Sequence, residues 1–333
     1  MKWNGDEMQI VYATDEQYAR IMAVSICSLL ESCNAPNKIS IHVISDGVTE
    51  ATRTKVRELV NRYHAAIEFI ELPDLDSLAG VHLDFKEFSL STFARLWLTE
   101  LLPNVERVLY LDCDTLVRSP LDELWLTQLG DIESVAGVLD AVSAINKAKI
   151  GLSPDAPYIN AGVMLIDLDK WRESRALDTF TEFLRTHSGR VPHNDQGVIN
   201  GCLWKSVKPI HPRYNVMSYC LALSYPEIMS YKRPSAWITK DQFGELTSAP
   251  AILHATGSFF FERPWIEDSG SPMAPVWAEV KAKTPWSGEA PNKRRPRTSA
   301  VVLRSLCSSS LRQPTIATLG ILQATIRERV RAF

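Results

Sequence analysis

Arg107-Val108-Leu109-Tyr110-Leu111-Asp112-Cys113-Asp114-Thr115-Leu116-Val117 reads as a buried strand that runs out into two carboxylates. Val108 to Leu111 is a short apolar run, the pattern of a strand covered on both faces. Asp112 and Asp114 stand two apart, and side chains two apart in an extended segment point to the same side. Two anions held together repel unless a divalent cation lies between them, and oxygen ligands of this kind suit Mg2+ or Mn2+. A D-x-D pair is also common as a solvated strand end, so the rest of the chain has to decide. Cys113, between the aspartates, is expected to face the other way and pack.

Upstream, Gln9 to Ala13, Ile39 to Ile44 and Ala66 to Leu72 read as strands. Helical patterns over Tyr18 to Leu30 and Glu50 to Tyr63 separate them, the second capped by Thr49. This β-α-β-α-β order predicts a mostly parallel central sheet flanked by helices. Ser91 to Leu101 is expected to be a helix before the aspartate strand. Ser134 to Leu139 and Ala161 to Ile166 are expected strands, and Asp195 to Leu203 a short helix with Asn194 as its cap. Pro209 to Pro250 reads mostly as loop, and Ala251 to His254 as a last short strand broken off by Gly257.

The 333 residues allow a large buried core, and 45% hydrophobic with 23% charged residues is ordinary for a globular protein. The net charge of -3 hides an asymmetry: from Lys281 onward there are 11 Lys/Arg against 2 Asp/Glu. The six cysteines form no C-x-x-C pair, which argues against zinc. The opening Met-Lys-Trp-Asn-Gly-Asp-Glu has no signal-peptide run, and no stretch nears the roughly 20 apolar residues of a membrane span. The expectation is a cytoplasmic protein with reduced thiols and no nucleic-acid partner.

In an open α/β sheet, ligands gather beyond the carboxyl ends of the strands. Those ends carry Ala13, Thr14, Asp15, Gln17 and Tyr18, then Asp112 and Asp114, then Asp140 and Asn160, with Asp195 and Gln196 at a helix start and His254 after the last strand. Neither G-x-G-x-x-G nor G-x-x-x-x-G-K-[ST] occurs, so a nucleotide is not held in the dehydrogenase or P-loop manner. Tyr18 offers a face for a base and Asp15 an acceptor. His254 could add a neutral imidazole to the two carboxylates, and a cation so held would neutralise a departing diphosphate.

The chain resembles the retaining glycosyltransferases of family 8. The likeness runs in order through Ile10-Val11-Tyr12-Ala13-Thr14-Asp15 with Tyr18, Ser91 to Leu96, Val108 to Asp114, Asn160 to Ile166, His193-Asn194-Asp195-Gln196-Gly197, and His254 to Gly257 with Arg263-Pro264-Trp265. It implies a GT-A (Rossmann-like) fold, a UDP-sugar donor and Mn2+ or Mg2+. On that resemblance Asp112, Asp114 and His254 match metal ligands. Ala13, Asp15 and Tyr18 match nucleotide contacts, and Gly257 and Arg263 belong to the closing motif beside the diphosphate. Arg95, Asp140, Asn160, Asp195 and Gln196 match the set that holds the donor sugar, with Gln196 on its reacting face. A neutral amide is a poor nucleophile, which favours front-face attack by the acceptor. Two departures stand out. Arg263 replaces the family's usual lysine before Pro-Trp, and Ser258 to Glu262 are extra.

The expected layout is a catalytic domain over residues 1–284 and a basic linker with an amphipathic helical tail over 285–333. In the tail, Ile321, Leu322, Ile326 and Val330 are apolar and Arg327, Arg329 and Arg331 basic, suited to an anionic membrane surface. The function expected is transfer of galactose or glucose to a glycan or glycolipid acceptor such as a lipopolysaccharide core, by an enzyme peripheral on the inner face of the membrane. A glycogenin-like self-glucosylating enzyme and a non-catalytic sugar-nucleotide binder are the alternatives.

Overall fold

The apolar runs pair into two sheets. In the computed structural model, which describes residues 7–83, 90–258, 260–293, 316 and 318, ten strands form: β1 (Met8–Asp15), β2 (Ile39–Asp46), β3 (Ala66–Glu71), β4 (Arg107–Leu111), β5 (Thr115–Val117), β6 (Val135–Leu139), β7 (Ile159–Asp167), β8 (Val207–Pro209), β9 (Val216–Met217) and β10 (Ile252–His254). Seven of them make the central sheet in the order β3-β2-β1-β4-β7-β6-β8, and β5-β10-β9 make a small second sheet. Among these, β3, β2, β1 and β4 run parallel, β6 and β8 run with them, and β7 runs against both its neighbours.

The central strands β1, β4 and β7 are largely apolar on both faces because both are covered. Along β4, Leu109 and Leu111 enter one core with Ile10 and Tyr12 of β1, while Val108 and Tyr110 enter the other with Val11. The period of two separates the sets. The first core is covered by helices α1 (Ala19–Ser32) and α2 (Glu50–Asn61). Thr49 caps α2, its hydroxyl accepting from Thr52 N. The second core is covered by α3 (Leu168–Glu173), α4 (Ala176–Thr186) and α5 (Asn194–Leu203).

Three local expectations change. The stretch read as a helix from Ser91 is a 3-10 run over Leu90–Trp97 followed by one α turn, Leu98–Leu101. Six of its eight 3-10 residues are buried, so no exposed face remains to set a one-sided α pattern. The start of α5 is not capped by an Asn194 side chain; His193 and Asn194 both take left-handed φ, +62° and +52°, to aim the helix. The region from Pro209 to Pro250, read as loop, contains the short helices Ser218–Ala222, Tyr225–Lys232 and Lys240–Ser248. The last two open on capping boxes, Ser224 with Glu227 and Thr239 with Gln242. Their brevity and the intervening prolines hide the helical period.

Residues 285–293 lie against the body. Trp286 is buried, Asn292 N donates to Trp265 O over 2.9 Å, and Arg20 Nη2 donates to Asn292 Oδ1 over 2.5 Å. The amphipathic part of the tail expected over 285–333, with Ile321 to Arg331, lies outside the described residues; beyond residue 293 these include only Ile316, buried in the first core, and Thr318.

Candidate functional site

The two aspartates converge because the chain turns, not because the strand continues. β4 ends at Leu111, and Asp112 N donates to Gly162 O over 2.8 Å. Thr115 then folds back, its N and Oγ1 donating to Asp112 O over 3.2 and 2.9 Å. The chain leaves this turn as β5 of the second sheet, so the carboxylates converge through the turn and not through the side-chain alternation of an extended D-x-D. Cys113 packs away from the carboxylates, its thiol donating to Ala13 O over 3.2 Å, and burial pushes that thiol up.

β10 pairs antiparallel with β5 and sets His254 opposite Thr115. His254 Nε2 therefore lies 3.0 Å from Asp114 Oδ1 and 3.5 Å from Asp112 Oδ2. One ligand atom from each of the three residues falls within 4.8 Å of the others. Two carboxylate oxygens and one imidazole nitrogen at that separation fit a hard divalent cation. Burial alone would raise the Asp114 carboxyl, but the His254 and Arg263 charges outweigh it and hold it far below the usual carboxylate range. Burial alone would lower His254, but Asp114 and then Asp112 raise it above its ordinary value.

Arg263 reaches this cluster despite the extra residues after Gly257. Its guanidinium contacts Asp114 Oδ2 and Ala255 O and lies 5.5 Å from the Trp265 ring. Tyr18 meets the same tryptophan edge-on, centroids 6.0 Å apart, and remains 38% exposed. Asp15 Oδ1 accepts from Tyr18 N over 2.8 Å, which fixes the loop between β1 and α1.

On the other side of Asp112 sits Arg95, 4% exposed and with its guanidinium 4.3 Å over the Tyr110 ring. Arg95 Nη2 donates to Asp112 Oδ1 over 2.8 Å, Nη1 to Ala161 O over 2.5 Å, and Nε lies 3.0 Å from Asp195 Oδ2. One rigid fork thus ties the metal-ligand candidate to the first turn of α5. Burial pushes the Asp195 carboxyl up to about 6; Arg95 opposes this and the Asp112 charge adds to it.

Asn160 lies at the start of β7, not at a strand end. Because β7 is reversed, its start shares an edge with the ends of β4 and β6, and Asn160 meets Asp140 there. Gln196 Nε2 donates to Asp140 Oδ2 over 3.2 Å, and Gln196 Oε1 accepts from Asn160 Nδ2 and Ala161 N over 3.1 and 3.2 Å. Burial raises the Asp140 carboxyl, but the charges of Lys232 and His193 and bonds from Gln196 and Tyr219 bring it below its ordinary value.

Ala13, Asp15, Tyr18, Arg95, Asp112, Asp114, Asp140, Asn160, Asp195, Gln196, His254, Gly257 and Arg263 all line one cleft of about 1330 Å³. Three partners escaped the sequence reading. Asn215 bonds His254 and Asn160, and Tyr219 OH donates to Asp140 Oδ1 over 3.0 Å. Both fall in the stretch read as loop, where no spacing marks them. Gly162 was visible only as a motif letter; its role is to leave room, since a Cβ there would lie 2.6 Å from Asp112 Oδ2.

The chain is similar to General stress protein A of Bacillus subtilis, 25% identical over 84% of this chain and 95% of that protein. A putative glycosyltransferase of Haemophilus influenzae is 32% identical over 62% of this chain and 63% of its own length. Lipopolysaccharide 1,2-glucosyltransferase of Escherichia coli is 24% identical over 84% and 80%. Among solved structures, the galactosyltransferase LgtC in complex with donor and acceptor sugar analogues superposes with a TM-score of 0.69 at 29% identity, over 84% of this chain and 99% of that one. The fold is thus the expected GT-A arrangement. Residues 9–266 match the sequence model of Glycosyl transferase family 8, and the chain belongs to that family.

Proposed function

We propose that this protein is a retaining, metal-dependent hexosyltransferase that moves galactose or glucose from a UDP-sugar to a glycan acceptor, a lipopolysaccharide core or another lipid-linked saccharide. The observation that carries the reading is the division of the cleft. Asp112, Asp114, His254 and Arg263 gather at one place, and Asp140, Asn160, Asp195 and Gln196 at the adjoining one.

Asp112, Asp114 and His254 would hold Mn2+ or Mg2+, which when bound neutralises charge on the diphosphate. Arg263 grips the same diphosphate through its planar fork. Tyr18 presents its exposed ring to the base. Asp140, Asn160 and Arg95 set the position of the donor sugar. Gln196 Oε1 already accepts two hydrogen bonds, which makes an intrinsically weak nucleophile weaker. This supports front-face attack, with the Asp195 carboxylate and the Gln196 amide stabilising positive charge at the anomeric carbon. The acceptor enters beside Ser143 to Asn146 and Tyr231 to Arg233, which line the same cleft.

The excess of basic residues from Lys281 onward supports docking on an anionic inner-membrane face. Among the described residues, no helix is long and apolar enough to cross a membrane. The test of the function is to incubate the protein with Mn2+ and UDP-galactose, UDP-glucose or UDP-N-acetylglucosamine, and follow released UDP and the anomeric configuration of the product. Turnover of one UDP-hexose with retention is expected; inversion, or no turnover of any donor, would sink the reading.

A further inference from the structure

The side-chain amides of Asn215, Asn160 and Gln196 form a file between His254 and Asp140. The oxygen and nitrogen of such an amide have nearly the same shape, so the neighbours decide which is which. Here two backbone N–H groups decide, because they only donate. Gly162 N donates to one Asn160 atom over 3.0 Å, which makes that atom Oδ1. The Asn215 group 2.9 Å from the same oxygen must then be its NH2. The Asn215 oxygen is left facing His254 Nδ1 at 2.9 Å, so Nδ1 carries the hydrogen.

The other half follows in the same way. Ala161 N donates to Gln196 over 3.2 Å, which fixes Oε1 there and directs Asn160 Nδ2 to it over 3.1 Å. Gln196 Nε2 is then turned to Asp140 Oδ2 at 3.2 Å. Every link donates in one direction, from the imidazole to the carboxylate. Asn215 is 1% exposed, His254 3% and Asn160 8%, so bulk water does not compete for these groups. In such surroundings a reversed amide would bury unpaired donors and acceptors, which folding disfavours.

We infer that Asn215 is a positioning residue that serves both halves of the site at once. Its oxygen locks His254 as the Nδ1–H tautomer, which leaves Nε2 to face Asp112 and Asp114 as a ligand. Its NH2 holds Asn160 and, through Asn160, the Gln196 amide on the sugar side. This rests on the metal-dependent reading proposed above. Asn215 itself contacts neither the expected ion nor the expected sugar. It couples them, because any rotation of its amide loses both bonds together.

The two roles separate by substitution. Asn215→Asp keeps an oxygen for His254 and loses the N–H for Asn160, whereas Asn215→Leu keeps a similar volume and loses both. Mn2+ binding is measured by calorimetry without donor on wild type and both variants, alongside kcat with the UDP-sugar turned over. Asn215→Leu is expected to weaken Mn2+ about 10–100-fold, the usual effect of removing a ligand's outer partner. Asn215→Asp is expected to bind Mn2+ as wild type does and yet lose kcat.

Wild-type Mn2+ affinity in Asn215→Leu, or wild-type kcat in Asn215→Asp, overturns the inference. A wild type that binds no Mn2+ overturns the metal reading itself, a different result from an unaffected variant. One arm needs no variant: nitrogen NMR of the metal-free wild type at alkaline pH should show the His254 ring as Nδ1–H, and an Nε2–H ring would overturn the assignment.

Discussion

Gly162 and His254 are packed so closely that a Cβ on the glycine would lie 2.2 Å from His254 Cε1. The candidate metal site of Asp112, Asp114 and His254 therefore rests directly on the backbone of β7. Gly162→Ala puts a methyl group where the imidazole and the Asp112 carboxylate now stand, and both must shift. Misplaced ligands lose metal affinity, so Mn2+ binding by calorimetry should weaken by at least about 10-fold. Far-ultraviolet circular dichroism should be unchanged, since alanine suits an interior strand as well as glycine does. Tight Mn2+ binding in Gly162→Ala would mean that the ion sits elsewhere.

Asp112 and Asp114 are not equivalent. Asp114 bonds His254 and Arg263, whereas Asp112 is tied to Arg95. Asp112→Asn and Asp114→Asn should each abolish sugar transfer and Mn2+-dependent UDP binding. Asp114→Asn should also free Arg263, seen as higher metal-independent affinity for UDP. Full activity in either variant would remove the metal role.

Arg95 joins the buried Asp195 carboxylate to the partly exposed one of Asp112, and lysine cannot reproduce its fork. Arg95→Lys leaves one of the two unpaired. Breaking a buried pair costs about 3–5 kcal/mol, read as a shift of the denaturant midpoint. On the proposed mechanism turnover should fall with kcat rather than KM, because Asp195 is displaced from the reacting centre proposed for it. A variant with wild-type midpoint and kcat contradicts the link.

Metal affinity should rise with pH. The imidazole must lose its Nε2 proton to bind an ion, and Asp114 and Asp112 hold that proton on above the ordinary histidine range. Mn2+ affinity that is flat between about pH 6 and 8 would oppose this. The metal-free protein should show the reverse trend. Charged His254 contributes stability below the ordinary histidine value, lost as pH rises through the raised one. The Asp195 carboxyl is raised from 3.8 to about 6 by burial, so the folded state favours its protonated form, and stability is lost as pH climbs through that window. At about 1.4 kcal/mol per unit this amounts to about 3 kcal/mol, read from the difference between wild type and Asp195→Asn. Asp114 is lowered, so its contribution is present above the ordinary carboxylate value and lost only in stronger acid.

Replacing Arg294, Arg295, Arg297, Arg327, Arg329 and Arg331 with glutamine takes away most of the basic excess and leaves Ile316 in the first core. Binding to vesicles containing anionic lipid should weaken, and activity on a soluble acceptor should persist. Unchanged vesicle binding would end the membrane argument.

The sequence by itself determined most strands of the central sheet and a set of candidate site residues. Apolar runs such as Val108 to Leu111 specify strands because a strand buried on both faces has little choice of residue, and residue type and order along the chain named candidates from Ala13 to Arg263 that line the cleft, though not Ser143 to Asn146 or Tyr231 to Arg233. Only the tertiary structure decided how those residues meet. The reversal of β7 brings Asn160 to the functional edge, and no local pattern encodes strand direction. The turn at Asp112 and the pairing of β5 with β10 set His254 beside the aspartates, which is a matter of non-local hydrogen bonding. Asn215 and Gly162 gain their roles from what packs against them, one by filling a hydrogen-bond gap and the other by leaving space. Such roles belong to three-dimensional neighbours, so residue type and spacing along the chain do not carry them.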